Sequence, residues 1–133
     1  MPNGKIHNNS GVVLGISAYL IIQNNSQDYV DLGELILSLF AGISTARLPD
    51  ILEPATSPNH RAFFHSYVFG LLIGFAVFQI WRDLQTIRTE RKLLGIKQMS
   101  LKEILDILLI IIICSVLLHL IMDGFTPKGL PII

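Results

Sequence analysis

Cysteine is almost absent from this chain of 133 residues, which contains a single one, Cys114. One cysteine cannot supply an internal disulfide framework or a cysteine-based metal cluster. Because Cys114 lies in the apolar run IIIICSVLLHLIM, we interpret it as a packing residue.

An excess of positive charge is also missing. Ten Lys and Arg residues balance ten Asp and Glu residues, so the formal net charge is zero. Nucleic acid binding depends on basic residues that neutralise phosphates. We therefore expect no nucleic acid partner.

Apolar residues, in contrast, are abundant. They make up 51% of the chain, and the mean hydropathy of +0.57 lies above that of an average soluble protein. The apolar run near the N-terminus is preceded by one lysine and has no clear small-x-small cleavage site, so we expect it to stay on the protein. The sequence predicts one membrane-embedded helical domain over residues 1–133.

Four apolar segments are separated by polar connections. Segment 62–81 and segment 101–122 are each long enough for a helix of about 30 Å, the thickness of a bilayer core. Segments 11–22 and 35–46 are shorter and could span only with their polar ends included. Their glycine and serine residues favour close helix packing. We interpret the basic connection 82–100 as a mobile or interfacial helical loop.

This pattern predicts an all-α fold, an integral membrane four-helix up-down bundle. In such a bundle, the start of the first and third helices lies at the same end as the close of the second and fourth. That end would collect all four histidines of the chain and three carboxylates, namely His7, Asp50, Glu53, His60, His65, His119 and Asp123. We therefore predict a metal site at one end of the bundle.

The sequence HLIMD places His119 and Asp123 four residues apart, about 40° from each other around a helix. Imidazole nitrogen and carboxylate oxygen are ligands for zinc, manganese or iron. The alternative is an interfacial histidine beside a residue that caps the helix end.

The stretch PDILEPATSPNHRAFFHS carries further candidates. His60 and His65 are five residues apart, so they could face one ion only if His60 lies in a loop before the helix. Asp50 and Glu53 could bind a metal or accept a proton from metal-bound water. The alternatives are an ordinary turn for the acids and a cap with an interfacial residue for the histidines.

Three basic residues near these acids, Arg47, Arg61 and Lys128, could bind an anionic substrate. Guanidinium groups match phosphate oxygens particularly well. Anchoring of the helices at the membrane interface is the alternative for each of them.

The motifs LPDILEP, HRAFFHS and HLIMDGFTPKGLPI resemble the YdjM family of predicted bacterial inner-membrane metal-dependent hydrolases. The resemblance covers nearly the whole chain and implies a bacterial inner-membrane location. It also implies that several residues lie in or near a site for a divalent metal. We expect the metal to be zinc, with manganese as the second candidate. The implied metal-site residues are His7, Asp50, His60, His65, His119 and Asp123. The ligand order is also similar to that of zinc-dependent phospholipase C and single-strand nucleases.

Two positions depart from the family pattern LPD-x-DHP, since Leu52 stands at the second acid and Glu53 at the histidine. Our leading hypothesis is a membrane-bound metal-dependent hydrolase of a phosphoester or lipid-headgroup substrate, with Asp50 and Glu53 as catalytic carboxylates. The alternative is a non-catalytic membrane effector or subunit with a structural or degenerate metal site. We expect membrane lipid as a partner, with self-association or a protein partner left open.

Overall fold

The computed structural model of the protein describes residues 4–52 and 66–125. Its elements, in chain order, are the five helices α1 (Gly4–Ser26), α2 (Leu32–Thr45), α3 (Leu48–Leu52), α4 (Tyr67–Leu93) and α5 (Leu101–Gly124). The described residues contain no strand, so the predicted all-α class is confirmed.

Two of the helices, α4 and α5, are long and apolar enough to cross a membrane. They contain 27 and 24 residues, which correspond to lengths of about 40 Å and about 36 Å. Large apolar side chains of α4 remain exposed, including Leu71 and Phe75. Such a surface suits contact with lipid chains.

The first two helices approach each other closely through small residues. A Cβ atom added to Gly11 of α1 would lie 2.6 Å from the carbonyl oxygen of Gly42 in α2, closer than any ordinary contact. Ser115 of α5 donates a hydrogen bond of 2.9 Å to the same carbonyl oxygen. The prediction that small residues allow close helix packing is therefore confirmed here.

The segment predicted as a mobile or interfacial helical loop, residues 82–100, is helical over most of its length, but it is a continuation of α4 and not a separate connection. Helix α4 continues to Leu93, and only the stretch from Leu94 to Ser100 connects it to α5. Ser100 begins α5 with a capping box, in which its hydroxyl accepts from the Glu103 backbone and the Glu103 carboxylate accepts from the Ser100 backbone. This reciprocal pair satisfies two amide groups that a helix start leaves open.

The apolar core lies among α1, α4 and α5. It consists of Tyr19, Ile22, Leu84, Ile107, Ile110 and Ile111. Helix α5 contacts α1, α2, α3 and α4, so it is the central element of the described structure. The beginning of α1 and the end of α5 meet beyond this core, where His7 stacks on His119.

Candidate metal centre

Four of the predicted site residues lie together at the end of α5. Helix α1 contributes His7, α3 contributes Asp50, and α5 contributes His119 and Asp123. One ligand atom from each of His7, Asp50 and His119 lies within 4.8 Å of the other two. We refer to these four residues as the His/Asp cluster.

His119 is held in one orientation by the backbone of α2's C-terminal end. Its Nδ1 lies 2.8 Å from the carbonyl oxygen of Ala46, and because a carbonyl can only accept, Nδ1 donates. In the neutral ring, Nε2 then carries a lone pair and no proton. Fixing the tautomer in this way is what a second hydrogen bond does for a metal-binding histidine.

The Nε2 atom of His119 faces two carboxylates at equal distances. It lies 3.5 Å from Asp50 Oδ1 and 3.5 Å from Asp123 Oδ2. Direct charge-assisted hydrogen bonds are shorter, about 2.7–2.9 Å. Two ligand atoms bound tetrahedrally at about 2.0–2.1 Å from one zinc ion are roughly 3.4 Å apart. The observed spacing therefore matches atoms that share a cation.

The imidazole of His7 stacks on that of His119, with ring centroids 4.3 Å apart and an angle of 26° between the planes. Helix α1, which holds His7, lies outside the two candidate membrane spans. Burial lowers the pKa of His7, and the charge of His119 acts in the same direction. A lowered pKa favours the neutral imidazole that metals require.

The His7 side chain is 2% exposed. Its Nδ1 atom is buried and has no hydrogen-bond partner in the described part of the chain. A buried polar atom without a partner is costly. A metal ion would remove this cost, so the residues fit a divalent cation by geometry and by donor type.

Asp50 is the member of the cluster that water can reach. Its side chain is 32% exposed, whereas those of His119 and Asp123 are 1% exposed. Arg47, also exposed, is close enough for its charge to act on His7. Asp50 and Arg47 are therefore the more accessible charged groups at the cluster.

The other predicted site residues lie outside the described residues. They are the catalytic candidate Glu53, the metal candidates His60 and His65, and the substrate-binding candidates Arg61 and Lys128. Their roles stay predictions.

A second buried polar group was missed by the sequence reasoning. Arg91 of α4 contacts Glu103 of α5 at 2.9 Å and Asp28 at 2.7 Å. Arg88, only 2% exposed, donates to the Ile22 carbonyl oxygen at 3.1 Å. We refer to Asp28, Arg88, Arg91 and Glu103 as the Arg/acid network.

Arg88 also donates to the Gln23 side-chain oxygen at 2.7 Å and to the Ser26 hydroxyl. These bonds attach the end of α4 to the end of α1. The sequence signal available was the recurrence of basic residues at helical spacing within TIRTERK, where Arg88 and Arg91 are three apart. That spacing puts both on one helix face.

A family model described as YdjM inner membrane protein matches residues 1–133. No curated protein matches the chain in the corresponding comparison, and no solved structure matches it either.

Proposed function

Because the chain belongs to the YdjM inner membrane protein family, we propose that it is a membrane-bound metal-dependent hydrolase of phosphoesters. Its metal site would lie at one end of a four-helix up-down bundle. Location in the inner membrane makes lipid headgroups the phosphoesters nearest to the site. The observation that carries the proposal is the spacing around His119 Nε2, which lies 3.5 Å from a carboxylate oxygen of Asp50 and of Asp123.

In this proposal, His7, Asp50, His119 and Asp123 hold one divalent cation, with zinc first and manganese second. A zinc ion bound there would polarise a phosphoryl oxygen and lower the pKa of a bound water. The Ala46 carbonyl oxygen keeps the His119 ring in the tautomer whose Nε2 faces the site. His60 and His65 are proposed as further ligands from the sequence motif alone.

Two carboxylates are proposed to take part in the chemistry. Asp50 is the more accessible acid of the cluster, which suits a group that accepts a proton from water at the site. Glu53, three residues later, is the second candidate base. Arg47, Arg61 and Lys128 are proposed to bind the anionic substrate, since their charges complement phosphate.

Hydrolysis tests this function directly. The purified protein, loaded with zinc in detergent, is assayed for headgroup release from phospholipids and for cleavage of a water-soluble phosphodiester. We expect Asp123→Asn to lower kcat/KM at least about 100-fold, because it removes a proposed metal ligand, and loss of even a second-shell partner of a metal site costs about 10–100-fold. Asp106→Asn, a matched change near the other end of α5, should keep full activity.

Arg47 offers a second comparison. Arg47→Gln should raise KM for the anionic substrate while kcat changes little, because uniform binding is lost. The matched variant Arg82→Gln, at an exposed arginine of α4, should leave both constants unchanged. A protein that contains zinc but cleaves no phosphoester in either assay would contradict the hydrolase.

Burial favours a second candidate, a non-catalytic membrane effector or subunit with a structural metal site. Three cluster side chains, those of His7, His119 and Asp123, are at most 2% exposed, as in closed structural sites. A cation there would connect α1, α3 and α5. For this candidate, metal would be essential for stability, and Asp50→Asn would leave the protein's cellular role intact if the fold survives.

A further inference from the structure

Beside the His/Asp cluster, an apolar cavity of about 150 Å³ lies between α3, α4 and α5. Pro49 lines it from α3, Ile73 from α4, and Ile113 and Val116 from α5. The eight lining residues that belong to the described part of the chain are all apolar. We propose that this cavity binds one hydrocarbon chain of a membrane lipid whose phosphate group lies at the His/Asp cluster, so that the substrate of the proposed hydrolase is a lipid.

On two of the helices that line the cavity, α3 and α5, the lining residues are close in sequence to residues of the His/Asp cluster. Pro49 directly precedes Asp50, and Val116 lies one helical turn before His119. Ile112, at the far end of the α5 wall, is seven residues before His119, about 10 Å along the helix axis. A lipid with its phosphate at the cluster would therefore have its chain beside these residues.

Water is a poor occupant of this cavity. A buried water needs two to four polar partners, and the described residues of the lining supply no polar side chain. A cavity of about 150 Å³ is too small for a protein helix, which has a diameter of about 10–12 Å with its side chains. A hydrocarbon chain matches the apolar lining.

The surroundings supply such chains. The cavity walls include residues of α4 and α5, the two helices of membrane-spanning length. Neighbouring residues on α4, such as Leu71 and Leu72, are 75% and 57% exposed and suit contact with the lipid hydrocarbon. Since lipid tails are as apolar as the lining, the chain gains little affinity by entering. Its role is to position the headgroup.

The inference rests on the proposed function for its headgroup site, but its test does not require hydrolysis. The probe is phosphatidylglycerol with a diazirine midway along one acyl chain, incorporated with the full-length protein into phosphatidylglycerol liposomes. After irradiation, labelled residues are located by mass spectrometry. We expect labelling at Ile73 and Ile113.

Cavity-filling variants make the test specific. Ile113→Trp should reduce labelling of Ile73 at least tenfold, whereas Leu109→Trp, at an exposed position on the same helix, should not. Ile73→Trp should likewise reduce labelling of Ile113, with Leu72→Trp as its control. The two cavity variants fill the space from different helices, so misfolding of one leaves the other as a test.

Absence of labelling at both walls in the wild type would overturn the proposal, as would equal labelling in Ile113→Trp and Leu109→Trp. If an apolar side chain from elsewhere in the protein fills the cavity, neither wall will be labelled in the wild type. Labelling without phosphoester cleavage in any assay would refute the hydrolase and retain the lipid site.

Discussion

The His/Asp cluster and the Arg/acid network are both largely buried, but they differ in the distances between their polar atoms. In the network, Arg91 donates to Glu103 at 2.9 Å and to Asp28 at 2.7 Å, whereas Arg88 Nε lies 3.6 Å from Asp28. In the cluster, the lone pair of His119 Nε2 faces two carboxylates at 3.5 Å. Arg91 of the network has two carboxylate partners, whereas the cluster brings together His7, Asp50 and His119, which could hold a metal ion.

This contrast separates two uses of buried charge. A buried pair of opposite charges holds helices in place, and removing one member leaves the other uncompensated. A group of metal ligands repels itself until a cation is present. We therefore expect the stability of the protein to respond differently to mutations in the Arg/acid network and in the His/Asp cluster, and only the cluster to respond to metal.

Breaking the network should have the largest effect on stability. Glu103 is fully buried, so Glu103→Ala leaves Arg91 without one of its two carboxylate partners. The expected loss is about 3–5 kcal/mol in the free energy of unfolding, measured by titration with SDS from mild detergent. The loss should be the same with and without zinc. A change below about 1 kcal/mol would contradict the assigned role of the network.

Adding metal should stabilise the protein only through the cluster. Zinc at 100 times its dissociation constant should raise the free energy of unfolding of the wild type by about 2.7 kcal/mol. His119→Ala/Asp123→Ala should show no such increase. A similar zinc-dependent increase in this double variant would assign the stabilisation to ligands elsewhere in the chain.

Separating α1 from α2 should affect the cluster more than the network. In Gly11→Ala, the added Cβ meets the Gly42 carbonyl oxygen and Ala46, which forces the helices apart near His7. We expect a loss of about 1–3 kcal/mol in stability and weaker zinc binding, followed by calorimetry. Gly74→Ala, whose Cβ meets nothing within 4 Å, is the control. Equal behaviour of the two variants would refute the steric explanation.

The smallest effect is expected at the surface, next to the network. Lys102 contacts Asp83 and Asp106, and water screens the exposed charges of Lys102 and Asp83. Asp83→Asn should therefore leave the unfolding midpoint in SDS unchanged within error. A shift as large as that of Glu103→Ala would mean that burial does not distinguish the two groups of ion pairs.

Sequence reasoning succeeded where local spacing is sufficient. The four-residue spacing in HLIMD predicts that His119 and Asp123 share a helix face, and their side chains lie 3.5 Å apart. The apolar run 101–122 likewise predicts α5, which spans Leu101–Gly124. Both features depend on residues within one helix.

Sequence reasoning failed where a side chain's contact partner is distant in the sequence. The segment that contains TIRTERK was predicted to be a mobile or interfacial helical loop, but Arg88 and Arg91 are buried because Asp28 and Glu103 neutralise them from other parts of the chain. The contact between the Ala46 carbonyl oxygen and His119 could not be predicted from the sequence either, since every residue has a backbone carbonyl oxygen. The cavity depends on the meeting of three helices, which no local pattern records.

The most direct test of the central claim is the metal content of the purified protein. Wild type and the His119→Ala/Asp123→Ala variant would be purified in the same detergent, incubated with zinc or manganese, desalted and measured by elemental analysis. We predict at least one equivalent of zinc or manganese in the wild type and loss of that equivalent in the variant. No bound metal in the wild type, or equal metal in both proteins, would contradict a cation site at the His/Asp cluster.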